Sequence, residues 1–340
     1  MRSTLFTYAC GLLLLLAGSC TDHTDMPGPS PVSTVVCDLV GPLGLAFDDK
    51  GWLWVTEAGT GNNDGRVSVI INGTKYPVIT GFRSTISPEN TPDGLNHLQY
   101  RNGILYILHG VEDKLYTADV SGFKPGDAPV VAAGLTSYDI GTFVLNYDFG
   151  PDDANDSNPY NLTFGPGGDL FITDAGANAI LRWTPGTTNL SVFALIPARA
   201  NPTPAGPPMI QAVPTGIVFD GQKFLVTTLT GFPFVGGQAR VFQVDQSGNV
   251  SVYKDGFTSL VDIELTAAQQ PLVLQYGQFV FNPPSEIGFR TNSGRIQGAW
   301  GDSYPTIKSE LNFPTSLIRY GRNTYYYNDL AKGCIYQFTY

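Results

Sequence analysis

The chain has 340 residues, 42% of them apolar and only 14% charged, with 39 Gly and 25 Pro. Asp and Glu outnumber Lys and Arg by 29 to 19, a formal net charge of −10, which argues against a nucleic-acid binder because such binding is driven by clustered cations. Helical periodicity is lacking beyond the first twenty residues, so composition and pattern predict an all-β protein.

The first segment, residues 1–20, carries Arg2 and an apolar stretch from Gly11 to Ala17, and ends Ala17-Gly18-Ser19-Cys20. This reads as a lipoprotein signal peptide with Cys20 as the lipidated residue; the alternatives are an ordinary secretory signal or a short anchor. The apolar run falls short of the roughly 20 residues that a membrane span needs. Residues 21–32 (TDHTDMPGPSPV) read as a flexible acidic, Pro-rich tether. It resembles the surface-export tethers of bacterial lipoproteins. The expected location is exported, on an outer membrane facing the periplasm or the cell surface, with Cys20 as the sole membrane attachment. Residues 33–340 are then the folded domain.

Within that domain one stretch sets the pattern. Asn158 to Gly176 (NPYNLTFGPGGDLFITDAG) is two short β-prone runs around a Gly-Pro-Gly-Gly turn, a hairpin. Related hairpins begin at Pro42, Gly94, Val213, Thr258 and Phe313, so six copies are read. Third and fourth strands are predicted after them: Arg66 to Ile71 and Tyr76 to Phe82, Leu115 to Val120 and Val130 to Leu135, Ile180 to Thr184 and Leu190 to Ile196. The fourth and fifth copies give Ala239 to Asp245 and Val250 to Gly256, then Arg295 to Trp300 and Ile307 to Asn312. The sixth has Gly333 to Tyr340 and no fourth strand, whereas Thr34 to Val40 is an unassigned strand at the other end. A six-bladed β-propeller closed by its N-terminal strand satisfies both observations.

That closure sets Cys37 and Cys334 on adjacent strands. In an oxidising compartment a disulfide is the expected state, two buried free thiols being the alternative. The long connections are second-to-third strand and blade-to-blade, which emerge on one face of a meander. Function is expected on that built-up face.

Aligned on their central aliphatic residue, the innermost strands present Gly44, His97, Asn161, Gly216, Asp262 and Ser316 just before it. His97, Asn161 and Asp262 have the donor types for a divalent cation such as calcium; the alternative is hydrogen bonding to channel water or backbone. A second set closes the second strands: Glu57, His109, Asp174 and Asn328. Glu57, Asp174 and His109 are candidate acid or base groups, and capping of turn amides is the competing role. Asp152 to Asn158 lacks the Gly and distant Glu of a calcium loop, so it reads as a solvated acidic loop. Phe232 and Phe234, with aromatics from Phe279 to Phe289, are candidates to line a groove for an apolar or aromatic ligand. Patterns for a serine elbow, zincin, P-loop or dinucleotide site are absent from the sequence.

The segments GPLGLAFDDKGWLWVTEAGTGNNDGRV, SNPYNLTFGPGGDLFITDAGANAILR, AVPTGIVFDGQKFLVTTLTGFPFVGGQARVFQV, GFTSLVDIEL and FPTSLIRY resemble the ScyD/ScyE family, exported propellers similar to NHL-repeat proteins. The resemblance runs from about Gly41 to the C-terminus; it implies an exported six-bladed propeller and brings no reaction. More distantly the chain is similar to gluconolactonase, paraoxonase and strictosidine synthase propellers, in which Asn, Asp and Glu at the channel mouth hold calcium. Gly44 stands where a blade-one Glu would be expected. Two functions remain: a surface-tethered binding or scaffolding propeller whose partner is a protein, glycan or small ligand, and a metal-assisted hydrolase, lactonase or lyase at the channel mouth.

Overall fold

The computed structural model describes residues 29–87, 91–150 and 154–340. Residues 1–20, read as a signal peptide ending at Cys20, residues 21–28 of the expected tether and the acidic pair Asp152 and Asp153 lie outside the described residues. Among the described residues no helix is long and apolar enough to cross a membrane.

Six antiparallel sheets follow one another in sequence and meet through their innermost strands, Pro42–Phe47, Leu95–Arg101, Pro159–Phe164, Pro214–Phe219, Leu260–Leu265 and Leu317–Tyr320. Each of these strands contacts the next, and the last contacts the first, so the sheets close into a six-bladed propeller. Closure is made as the sequence predicts. Ser33–Val36 adds to Cys334–Thr339 as the outer strand of blade six, and Cys37 is disulfide-bonded to Cys334 across 297 residues of sequence. A link of that span lowers unfolded-chain entropy by an amount worth on the order of 5 kcal/mol in the loop-closure account. Ser30 extends the seam, accepting from Thr339 N at 2.8 Å and donating its own N–H to Thr339 O at 2.9 Å.

Six hydrophobic clusters lie between adjacent blades. Trp54, Phe224 and Tyr325 are among the largest fully buried side chains, each in a different one of these interfaces. Burying such a side chain contributes about 1.5–3 kcal/mol, so the adhesion of the ring is spread evenly around it.

In blades one to five the innermost strand carries a register shift just before its central aliphatic residue. A bulge removes ladder partners from the backbone, and a second-strand side chain replaces them. Thr56 Oγ1 accepts from Gly44 N at 2.8 Å and donates to Asn96 O of the next blade at 2.6 Å. Thr173 repeats this, from Asn161 N at 3.1 Å to Thr215 O at 2.6 Å. Asn328 serves blade six, accepting from Ser316 N at 2.8 Å and donating to Pro42 O at 2.6 Å. Each latch therefore ties an innermost strand to the neighbouring blade, at a bulge in blades one and three.

One strand assignment is corrected. Val130 to Leu135 is not the outer strand of blade two: Val130–Val131 pairs in parallel with Ile79 and Thr80 of blade one, and Thr136–Asp139 completes blade two. The β-branched pair signals a strand, but β-propensity does not choose the partner. The long connections hold small elements of their own: Thr85–Ile86 with Pro92–Asp93, Arg199–Ala200 with Met209–Ile210, and Phe279–Asn282 with Glu286–Phe289. A five-residue helix, Gly141–Leu145, follows blade two's outer strand; it is too short to leave a periodic signal.

Candidate functional site

The bulged residues stand together at the axis. Gly44 and Gly216 are where backbones touch: a Cβ on Gly44 would lie 2.5 Å from His97 Cα, and one on Gly216 2.6 Å from Asp262 Cα. The remaining positions of the ring carry polar side chains. His97, Asn161 and Asp262, from blades two, three and five, do meet. Asn161 Nδ2 donates to Asp262 Oδ1 at 2.9 Å, and His97 Nε2 lies 3.8 Å from Asp262 Oδ2.

Every side-chain polar atom of Asn161 and Asp262 is engaged, and the neutral His97 ring has one N–H to give to the two carbonyls it faces. Asp262 Oδ2 accepts Leu317 N at 2.7 Å and Oδ1 also accepts Ile263 N at 2.9 Å. Asn161 Oδ1 accepts Leu162 N at 2.7 Å. The His97 ring nitrogens face Tyr160 O at 3.1 Å and Thr315 O at 3.2 Å. Burial pulls the His97 imidazole down to about 4, against those two carbonyl oxygens. Burial likewise pushes the Asp262 carboxyl up to about 7, against the Leu317 and Ile263 amides. Near pH 5–6 both groups are therefore neutral, and the 3.8 Å approach carries no ion pair. The axis is filled by a hydrogen-bonded plug tying blades two, three, five and six. A cation on these three residues would replace bonds already made. Among the described residues no cluster of three or more His, Cys, Asp or Glu side chains has metal-binding geometry.

Ser316 completes the ring between two residues whose backbone engages the plug. Its Oγ is buried and, of the ring's polar side-chain atoms, stands without a hydrogen-bond partner among the described residues.

Glu57, His109 and Asp174 occupy equivalent places at the ends of their second strands, and each is satisfied locally. Glu57 accepts Val40 N at 2.8 Å and Ser68 Oγ at 2.5 Å. Asp174 accepts Asn158 N at 2.8 Å, Ala177 N at 3.0 Å and Ser157 Oγ at 2.9 Å, and burial raises its pKa. His109 faces Arg83 O at 3.0 Å and accepts Glu112 N at 3.2 Å, with burial pulling it down to about 4. These bonds go to the residue's own blade or its adjoining connection. The equivalent in blade six is Asp329: Leu317 pairs with Tyr327, which puts Asn328 level with Thr56 and Thr173.

The built-up face carries a continuous aromatic ridge over blades four and five. Phe313 stacks on Tyr276 at 5.2 Å, Tyr276 meets Phe289 edge-on at 5.0 Å, and Phe289 reaches Phe234 at 5.3 Å. Phe234 and Phe232 then contact Phe279 and Phe281 at 4.9 and 5.1 Å. Phe234 is half-buried within the ridge, whereas Phe232 is 39% and Phe281 42% exposed. Ile287, paired with Phe281, extends the apolar surface and is 60% exposed. The sequence reading missed Tyr160, whose ring lies 4.8 Å from that of His97, and the Thr56 and Thr173 latches. The latches had a signal in the repeated Val-Thr-Glu and Ile-Thr-Asp at second-strand ends. Tyr160 had none, because only the packing of blade three on blade two brings it to His97.

No family model and no curated protein matches this chain. Solved structures do share its fold. A catalytically inactive virginiamycin B lyase from Staphylococcus aureus with quinupristin aligns at a TM-score of 0.53 and 15% identity, over 91% of this chain and 99% of that one. A putative gluconolactonase aligns at 0.53 and 13% identity over 92% of each chain. The PQQ-bound aldose sugar dehydrogenase from Streptomyces coelicolor aligns at 0.56 and 15% identity, over 92% of this chain and 99% of that one. At such identities the likeness establishes a β-propeller fold, one that carries lyase, dehydrogenase and other functions alike.

Proposed function

We propose that this chain is an exported, lipid-tethered binding propeller of the ScyD/ScyE type, whose long-loop face engages a small ligand, glycan or protein through the aromatic ridge. The observation that supports this reading is the contrast in availability. The axial polar groups are hydrogen-bonded to one another and to backbone, while Phe232 and Phe281 leave about two fifths of their surface open. Aromatic faces suit apolar rings and the C–H faces of sugars. The test is an array of glycans and peptides probed with the purified protein and with the double variant Phe232→Ala/Phe281→Ala. Ligands retained by the parent and lost by the variant support the reading; ligands indifferent to both changes sink it. Tethering is tested separately, by palmitate labelling that a Cys20→Ser change abolishes.

The second reading is metal-assisted hydrolysis or elimination at the channel mouth. It is supported by the convergence of His97, Asn161 and Asp262 and by the uncommitted Ser316 Oγ beside them. There Asp262 and Asn161 would turn their oxygens to a divalent cation such as calcium, with Glu57 or Asp174 as acid or base. Metal content measured on the purified protein and on Asp262→Ala separates the two readings. A stoichiometric cation lost in the variant favours the enzyme.

A further inference from the structure

The excursion between the third and outer strands of blade two creates a site that neither reading uses. After Lys114–Asp119 the chain leaves blade two, crosses to blade one and returns at Thr136–Asp139. It is fastened at both ends. Phe123 sets its ring 6.2 Å from Trp52 and 6.0 Å from Trp54 of blade one, and Val130–Val131 forms a two-residue parallel ladder on Ile79–Thr80. Beneath this strap, between the two blades, lies a cleft of about 630 Å³. That volume is in the range of sites that enclose small molecules, roughly 300–1,000 Å³.

The walls are apolar, with Ile79, Val120, Phe123 and Leu135 among them. The charged side chains that line it, Asp119 and Asp127, are both acidic and both exposed. Their oxygens are held in turns: Asp119 Oδ1 accepts Ser121 N at 2.9 Å, and Asp127 Oδ2 accepts Lys124 N at 2.8 Å. The Ser121 hydrogen bonds hold Asp119 below the usual carboxylate range, so it is charged at neutral pH. On the lip, Val130 and Val131 are 51% and 61% exposed, a costly display for two β-branched residues on a sheet edge.

We propose that this inter-blade cleft binds a small apolar molecule bearing a positive charge, its hydrocarbon part under the strap and its cationic group at the Asp119–Asp127 rim. Volume sets the size, the walls set the apolar body, and two carboxylates without a lining cation set the sign. The site lies on blades one and two, across the ring from the aromatic ridge, and stands independently of it.

The test is calorimetric titration of the purified protein with decyltrimethylammonium and with decyl sulfate, both below their micellar concentrations. The expected result is one-to-one binding of the cation at least about tenfold tighter than of the anion. Ala128→Trp, which fills the cleft from its exposed edge, and Val131→Arg, which charges its lip, should each weaken the cation at least about tenfold with an unchanged melting temperature. Asp119→Asn/Asp127→Asn should erase the preference while leaving weak binding of both amphiphiles. Equal affinity for the two amphiphiles in the parent protein would overturn the charge assignment. Cation binding that both blocking variants leave intact would overturn the location. Sedimentation showing a dimer disrupted by Val131→Arg would assign the lip to a second copy of the chain instead, and so would also refute the proposal.

Discussion

The axial ring and the aromatic ridge sit on one scaffold and use their side chains in opposite ways. At the axis three polar residues from three blades are buried and turned on one another, so that Asn161 and Asp262 satisfy backbone amides as well as each other. On the ridge, aromatic rings pack on one another in a chain and leave Phe232 and Phe281 open to solvent. The contrast teaches that polarity alone is a poor guide to function in a closed ring. A buried polar group must be hydrogen-bonded, and here that need is met by the blades themselves; exposed apolar surface has no such internal use.

The sharpest way to break this contrast is to remove the central acceptor. Asp262→Ala strands the Leu317 and Ile263 amides and Asn161 Nδ2. A loss of about 3–5 kcal/mol is expected, read as a lower urea midpoint. A loss below about 1 kcal/mol would show that the plug is not structural.

The next effect is one of pH. Burial raises the folded pKa of Asp262 to about 7 from an ordinary 3.8. Its contribution is complete below that lower value and is lost as pH rises through about 7. Asn cannot ionise and matches the protonated carboxyl in shape. Asp262→Asn should therefore gain stability relative to the parent between pH 5 and pH 8 by about 2–3 kcal/mol, followed by thermal melts at the two pH values. A constant difference would mean that Asp262 stays ionised throughout.

Steric crowding gives a somewhat smaller change. Gly216→Ala would place Cβ 2.6 Å from Asp262 Cα and 2.7 Å from Ile263 N. Both are backbone atoms that cannot swing away, so a loss of about 1–3 kcal/mol is expected from denaturation. The same change at Gly122, which has open space, should be close to neutral and serves as the control. The smallest effect falls on the ridge: Phe232→Ala should alter stability by less than about 1 kcal/mol while removing ligand capture. A large stability loss there would make Phe232 a packing residue and erase the contrast.

Much of the fold was legible because its signals are local. Gly-Pro-Gly-Gly at Gly165 to Gly168, the short apolar run opening Leu170–Asp174 and the orphan strand near Cys37 name the hairpins and the ring closure without long-range knowledge. The axial register was legible for the same reason, since period-two alternation around Leu98, Leu162 and Ile263 fixes what precedes them. Val130–Val131 was misassigned because an edge strand's partner depends on which edge is open after folding, and blade one offered it. Asn328 was misplaced by one position: Leu317 pairs with Tyr327, so Asp329 holds the place of Glu57 and Asp174, and only the pairing of the two strands fixes that register.

By itself the sequence determined a ring of six hairpin-based blades, its closing seam and the identities of the residues at its axis. All of these follow from turn chemistry and alternation, which act over a few residues. Whether the axial groups would be free or bonded was decided only in three dimensions. Asn161 and Asp262 lie 101 positions apart in sequence, and His97 and Thr315 lie 218 apart. Closure of the ring sets those distances, and with them the burial that moves His97 and Asp262 from their ordinary pKa values. The cleft under the strap is likewise tertiary, because its two walls belong to different blades.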